Sequence, residues 1–169
     1  MRASIRILGI DPGFRVTGYG LIETNGQESR YLDSGVINAS KLEAGAARLQ
    51  KIYEGVTELV RTYEPDEMAV ERVFVHRNAD SALKLGQARA AAMCGSFIAD
   101  VSVHEYAARE VKQAIVGKGS AAKEQVQHMV RILLSVDVPL ETDASDALGI
   151  ALCHAHTRTL STRYAEAMS

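Results

Sequence analysis

The stretch "SIRILGIDPGFRVTGYGLIETNGQESRYLDSGVINA", residues 4–39, decides how the chain folds. Residues 4–10 are an apolar run of strand length, broken by Pro12 and Gly13. "TGYGLIET" (17–24) sets Gly or polar residues between Tyr19 and Leu21 in a period of two, the pattern of a second strand. "NGQ" (25–27) is a hairpin signal, because Asn and Gly tolerate the positive φ that tight hairpins need. "RYLDSGVINA" (30–39) then returns as a third strand, so the domain opens with an antiparallel meander. Asp11 stands where the first strand leaves the core, an unusual place for a carboxylate.

Downstream, the pattern changes to helices alternating with strands. Ser40 and Glu43 have capping-box spacing, and Leu42, Ala46, Leu49, Ile52, Val56 and Val60 recur at helical intervals as far as Tyr63. Pro65 stops that helix, and "EMAVERVFV" (67–75) reads as a buried strand holding Glu71 in its interior. Asn78 caps a long Ala/Gly-rich helix, whose small residues suit close packing within the chain or across a dimer seam. A fifth strand (101–106), helices at about 107–116 and 122–135, and a last helix from Thr142 complete the pattern. The expected architecture is α/β: a five-stranded mixed sheet, three antiparallel strands followed by crossover strands, with helices on both faces. Residues 1–160 form one domain and 161–169 a flexible C-terminal tail in this reading.

The composition is that of a globular protein, 47% hydrophobic and 24% charged, and 169 residues suffice for one sizeable core. No apolar run reaches the length of a membrane span, and the first ten residues lack a signal peptide's apolar middle, so a cytoplasmic location without membrane contact is expected. Cys94 and Cys153 stand far apart without metal-ligand spacing and read as buried thiols. His104, His128, His154 and His156 read as structural. The formal charge of −2 hides an uneven distribution: residues 72–131 hold nine Lys/Arg against five Asp/Glu, leaving the flanks acidic. A solvated face explains such an excess as readily as a DNA-binding one.

Four acids break local rules: Asp11, Glu71, and the pair Asp143 and Asp146, whose i, i+3 spacing puts them on one helical face. Each has a bland explanation, in a turn for Asp11 and capping for Asp143 and Asp146. Glu71 is hardest to dismiss, since an acid inside an apolar strand must be paired or liganded. Two charges 4 Å apart repel by about 4 kcal/mol at an effective dielectric of 20, so gathering several calls for a cation. Hard oxygen donors select Mg²⁺ or Mn²⁺, and a two-metal carboxylate site is suited to phosphodiester hydrolysis. Two other classes compete. "GIDPG" has the Gly-x-Asp-x-Gly form of the phosphate loop in actin and sugar-kinase ATPases, but the second such motif, "LDSG" (32–35), arrives within the same meander. A noncatalytic DNA-binding module explains the basic middle and leaves the acids unexplained.

"GIDPG", "ERVFVHRNADSALKLGQARA", "EYAAREVKQAIVGKGSAAKEQVQHMV" and "DASDALGIALCHAH" together resemble the RuvC family of bacterial Holliday-junction resolvases over nearly the whole chain. The resemblance implies an RNase H-like fold, a homodimer, and Mg²⁺-dependent paired nicking of four-way DNA junctions alongside the RuvA and RuvB branch-migration proteins. Two ions are implied, with Mn²⁺ able to substitute. By position, the family's acidic set falls on Asp11, Glu71, Asp143 and Asp146. Lys112 and Lys123 match lysines implicated in DNA contact or catalysis, and Phe74 an aromatic that stacks on a base. Arg77 and Lys118 are further DNA-binding candidates, and the helix bearing Ala90, Ala91, Ala92 and Gly95 resembles the dimer helix. The nearest enzymatic alternative is an RNase H-type nuclease acting on RNA:DNA hybrids.

Overall fold

The computed structural model describes residues 4–73 and 78–168, with side chains omitted for 162–167. Five strands, β1 (Ile5–Asp11), β2 (Val16–Thr24), β3 (Ser29–Asn38), β4 (Glu67–Glu71) and β5 (Ser102–Tyr106), make one sheet of order β3-β2-β1-β4-β5. β1, β2 and β3 pair antiparallel as a meander, whereas β4 runs parallel to both β1 and β5. The expected mixed sheet is therefore present. Helices α1 (Gly45–Tyr63) and α2 (Ala79–Cys94), with a 3₁₀ turn at Gly95–Ala99, lie on one face. Helices α3 (Ala108–Val116), α4 (Lys123–Leu134) and α5 (Thr142–Ala167) lie on the other. Two cores result: Leu8, Ile10, Leu21 and Met68 meet α1 and α2, while Ile7, Ile22 and Ala69 meet the second group of helices.

Several local expectations change. The Ser40–Glu43 capping box does not form: α1 begins at Gly45 behind Ala44, and the Ser40 hydroxyl donates instead to the Asn38 side chain. β4 ends at Glu71 rather than running to residue 75, which puts Glu71 at the strand's exit and not in its interior. The apolar run continues, but its neighbours do not, since β1 ends at Asp11 and β5 at Tyr106. Cys153 is buried, whereas Cys94 is exposed at the end of α2. α5 continues across position 160 to Ala167. No described helix is long and apolar enough to cross a membrane.

The packing of α5 positions everything that follows. Its residues Ala144, Ala147, Leu148, Ala151 and Leu152 are buried against β1 and β2. The helix approaches so closely that a Cβ on Gly18 would lie 2.0 Å from the Asp143 carbonyl oxygen, and one on Gly9 would lie 2.1 Å from that of Ala147. The glycines of "GID" and "TGYG" thus form a floor for a helix backbone.

Candidate metal and nucleic-acid site

Asp11 is the last residue of β1 and pairs across the ladder with Gly18. Because Gly18 has no side chain, the first turn of α5 settles there, bringing Asp143 and Asp146 beside Asp11. One carboxylate oxygen from each of these three acids lies within 4.8 Å of the others. Glu71 ends the neighbouring parallel strand, one residue beyond the Ile10–Val70 pair, and faces the same side because side chains alternate along a strand. Asp11, Glu71 and Asp146 line a cleft of about 250 Å³ together with Lys112 of α3 and Lys123 of α4. Four acids from three distant stretches of the sequence therefore gather at one end of the sheet.

Neighbouring groups hold this end in shape. The Thr17 hydroxyl donates to the Gly13 carbonyl at 2.9 Å and lies 3.3 Å from the Gly13 amide nitrogen, bracing the Pro12–Gly13 turn behind Asp11. Arg89 of α2 donates from Nε to the Glu71 carbonyl at 3.1 Å and pairs with Glu105, fixing the end of β4 to β5. Arg72 turns away from Glu71 and donates to the Glu105 carbonyl. Lys123 Nζ pairs with Asp146 Oδ2 at 2.5 Å, and Gln127 Nε2 donates to Asp146 Oδ1 at 3.3 Å. Gln127 is a neighbour that the sequence reading missed, although its i, i+4 relation to Lys123 puts both on one face of α4.

The electrostatics show how crowded the acids are. Burial, and then the charges of Glu71, Asp146 and Asp143, push the Asp11 carboxyl from 3.8 up to about 7, against an opposing pull from Lys123. Burial and the Asp146 charge also raise Glu71, although Lys123 and Lys112 oppose them. Lys123 is raised in turn, mainly by its hydrogen bond to Asp146. The nearby lysines do not balance the negative charge. An all-oxygen carboxylate set in this state fits a hard divalent cation, which would stabilise the ionised acids.

The other candidates separate from this cluster. Lys118 is exposed on the turn between α3 and α4 and is not among the residues lining the cleft. Phe74 and Arg77 lie outside the described residues. Ala92 is buried, and Gly95 is buried beneath α1, where an added Cβ would meet Val56 at 2.8 Å. Ala92 and Gly95 thus serve packing within the chain, whereas Ala90 is exposed and Ala91 half-buried. The exposed apolar groups of this region are instead Leu83 of α2, with Phe97 and Ile98 of the following turn.

The protein-family model of the crossover junction endodeoxyribonuclease RuvC matches residues 7–154. A curated relative from Shewanella sp. (strain W3-18-1), named crossover junction endodeoxyribonuclease RuvC, is 53% identical over 152 residues, spanning 90% of this chain and 87% of the relative. The solved structure of Thermus thermophilus RuvC superposes with a TM-score of 0.85 at 36% identity, covering 94% of this chain and 98% of that one. T. thermophilus RuvC in complex with a Holliday junction substrate gives 0.87 at 36% identity, covering 94% and 97%. Sequence and fold coincide along almost the entire length, with the acid-lined cleft inside the matched region, and the chain belongs to the RuvC family of crossover junction endodeoxyribonucleases.

Proposed function

We propose that this chain resolves four-way DNA junctions as a homodimer, nicking two like strands with Mg²⁺ held by Asp11, Glu71, Asp143 and Asp146. The observation that carries this reading is the convergence of acids from β1, β4 and α5: Asp11, Glu71 and Asp146 line one cleft with Lys112 and Lys123, and Asp143 clusters with Asp11 and Asp146. When bound, two Mg²⁺ ions, or Mn²⁺ in their place, supply an activated water and neutralise charge on the leaving oxygen of a phosphodiester. The strand ends keep Asp11 and Glu71 at fixed positions, and the first turn of α5 does the same for Asp143 and Asp146. Lys123 and Gln127 orient the Asp146 carboxylate. Lys112 and Lys123 also offer positive charge to a phosphate entering the cleft. Val111, Val126 and Ile150 make its wall apolar and limit the water around the acids.

Phe74 stacking on a base, with Arg77 and Lys118 on phosphates, completes the DNA contact in this reading. Leu83, Phe97 and Ile98, exposed by 70%, 65% and 41%, favour a partner copy against α2 and its following turn, which would set two active sites on a two-fold junction. Cooperation with RuvA and RuvB, in the cytoplasm, belongs to the same proposal.

Nicking assays on a mobile four-way junction, a linear duplex and an RNA:DNA hybrid test it. Paired cuts in the junction alone are expected, abolished by EDTA. Asp11→Asn should still shift a junction in a gel while cutting it at least about a thousandfold more slowly, a loss of ~4 kcal/mol in transition-state stabilisation. Equal cutting of duplex and junction would defeat the resolvase reading, and preference for the hybrid would favour the RNase H-type alternative.

A further inference from the structure

At the other end of the same sheet face, α5 crosses β4 and β5 over a second cluster of ligand-type side chains. Glu67 opens β4, while His104 lies in β5 opposite Ala69. His154 of α5, only 2% exposed, reaches down between them. Ligand atoms of Glu67, His104 and His154 all lie within 4.8 Å of one another. The two imidazoles stack with centroids 4.3 Å apart, and His154 Nε2 is 2.6 Å from Glu67 Oε2.

We propose that Glu67, His104 and His154 form a second cation site, for a borderline divalent ion of the Zn²⁺ class. Two imidazoles and one carboxylate are a donor set that suits Zn²⁺, with a fourth position left for water, and it disfavours Mg²⁺. The surrounding groups match what such a site needs. Tyr106 Oη lies 2.6 Å from His154 Nδ1; in the metal-free chain Nε2–H donates to Glu67, and with an ion bound the imidazole proton would sit on Nδ1 and be donated to Tyr106 Oη, turning the Nε2 lone pair to the ion. Arg158 Nε holds Glu67 Oε1 at 3.1 Å, leaving Oε2 directed at the imidazoles. His104 is half-buried, so solvent reaches the fourth position from its side. Metal–ligand distances of about 2.0–2.2 Å require ligand atoms roughly 3.3 Å apart, so the His154–Glu67 contact would open by less than about 1 Å. An ion here would tie β4, β5 and the second half of α5 together. The proposal is independent of the junction-cutting reading and concerns different side chains.

The test uses the full-length chain carrying Asp11→Asn, which weakens metal uptake by the carboxylate cluster, in excess Mg²⁺. Calorimetric titration with ZnCl₂ should show one ion per chain, and Co²⁺ in its place should give the visible absorption of a four-coordinate site. His104→Asn, at a partly exposed position, should weaken zinc binding by about a hundredfold while leaving thermal unfolding in EDTA unchanged. Tyr106→Phe should weaken it by about 10–100-fold through lost orientation of His154. Absence of stoichiometric zinc uptake, or uptake unaltered by His104→Asn, would overturn the site and leave the cluster as a hydrogen-bonded clamp.

Discussion

Glu67 and Glu71 share strand β4, project from the same face and lie four residues apart, about 13 Å along the strand, yet their surroundings push them in opposite directions. Burial tends to raise both. At Glu67, hydrogen bonds from His154 and Arg158 outweigh it and leave the carboxyl lowered. At Glu71, burial is joined by the Asp146 charge, and the carboxyl is raised despite Lys123 and Lys112. In the metal-free chain, one end of β4 thus holds an acid satisfied by hydrogen bonds and the other an unsatisfied acid cluster. The difference teaches that β4 itself does not decide what its acids do. The groups that α2, α4 and α5 bring to each end decide it.

The contrast breaks most severely if α5 cannot settle at the acid end. Gly18→Ala would set a methyl group against the Asp143 carbonyl, lifting the first turn of α5 from Asp11. Cutting should fall by about a hundredfold or more, as expected for misplacement of ligands by ~1 Å, with about 1–3 kcal/mol lost in stability from overpacking. Junction-cleavage rates and denaturant melts measure both, and wild-type cutting would show that this contact does not position the acids.

A smaller effect sharpens the comparison through pH. Asp11 is raised from 3.8 to about 7, so between those values the metal-free folded chain holds a proton that the unfolded chain has released, and stability falls as pH rises. Such a rise disfavours the ionised form by ~4 kcal/mol at most; partial exposure and coupling to Glu71 reduce it to the order of 2 kcal/mol. Asp11→Asn should therefore be the more stable protein in EDTA at pH 7.5, with the advantage shrinking toward pH 4. The clamp end behaves oppositely. Glu67 is lowered, so its contribution is complete above the unfolded value of 4.5 and is lost as pH falls through the lower folded value. Glu67→Gln should cost about 1.5 kcal/mol at pH 7, the scale of a hydrogen bond to a charged group. Melts of the two variants with slopes of the same sign would refute the contrast.

Much of this was legible in the sequence because the signals were local. The Asn25–Gly26 turn, the period-two strands and the helical repeat ending before Pro65 each follow from short-range backbone preferences. Glu71 stood out as an acid within an apolar run, whereas Asp11, Asp143 and Asp146, each with a bland explanation alone, gained weight only in its company. What was not legible depended on neighbours. The end of β4 is set by where β1 and β5 stop, which no period within β4 encodes. Ser40 looked like a cap until Asn38 took its hydroxyl. The alternation of Gly18 and Gly20 with Tyr19 and Leu21 marked a strand but not what covers it, and those glycines lie buried beneath α5. Similarly, the histidines read as structural gave no hint that His104 and His154 would stack over Glu67, because β4, β5 and α5 meet only in three dimensions.

The seating of the last helix on the first two strands also sets an order in time. During synthesis, Asp11 and Glu71 emerge well before Asp143 and Asp146, and β1 and β2 wait with their glycine floor uncovered until α5 has been made. Contacts between chain segments so far apart are slow to form, and the exposed apolar face invites association in the interval. A growing chain therefore carries Asp11 and Glu71 but cannot assemble the acid-lined cleft until the final helix docks.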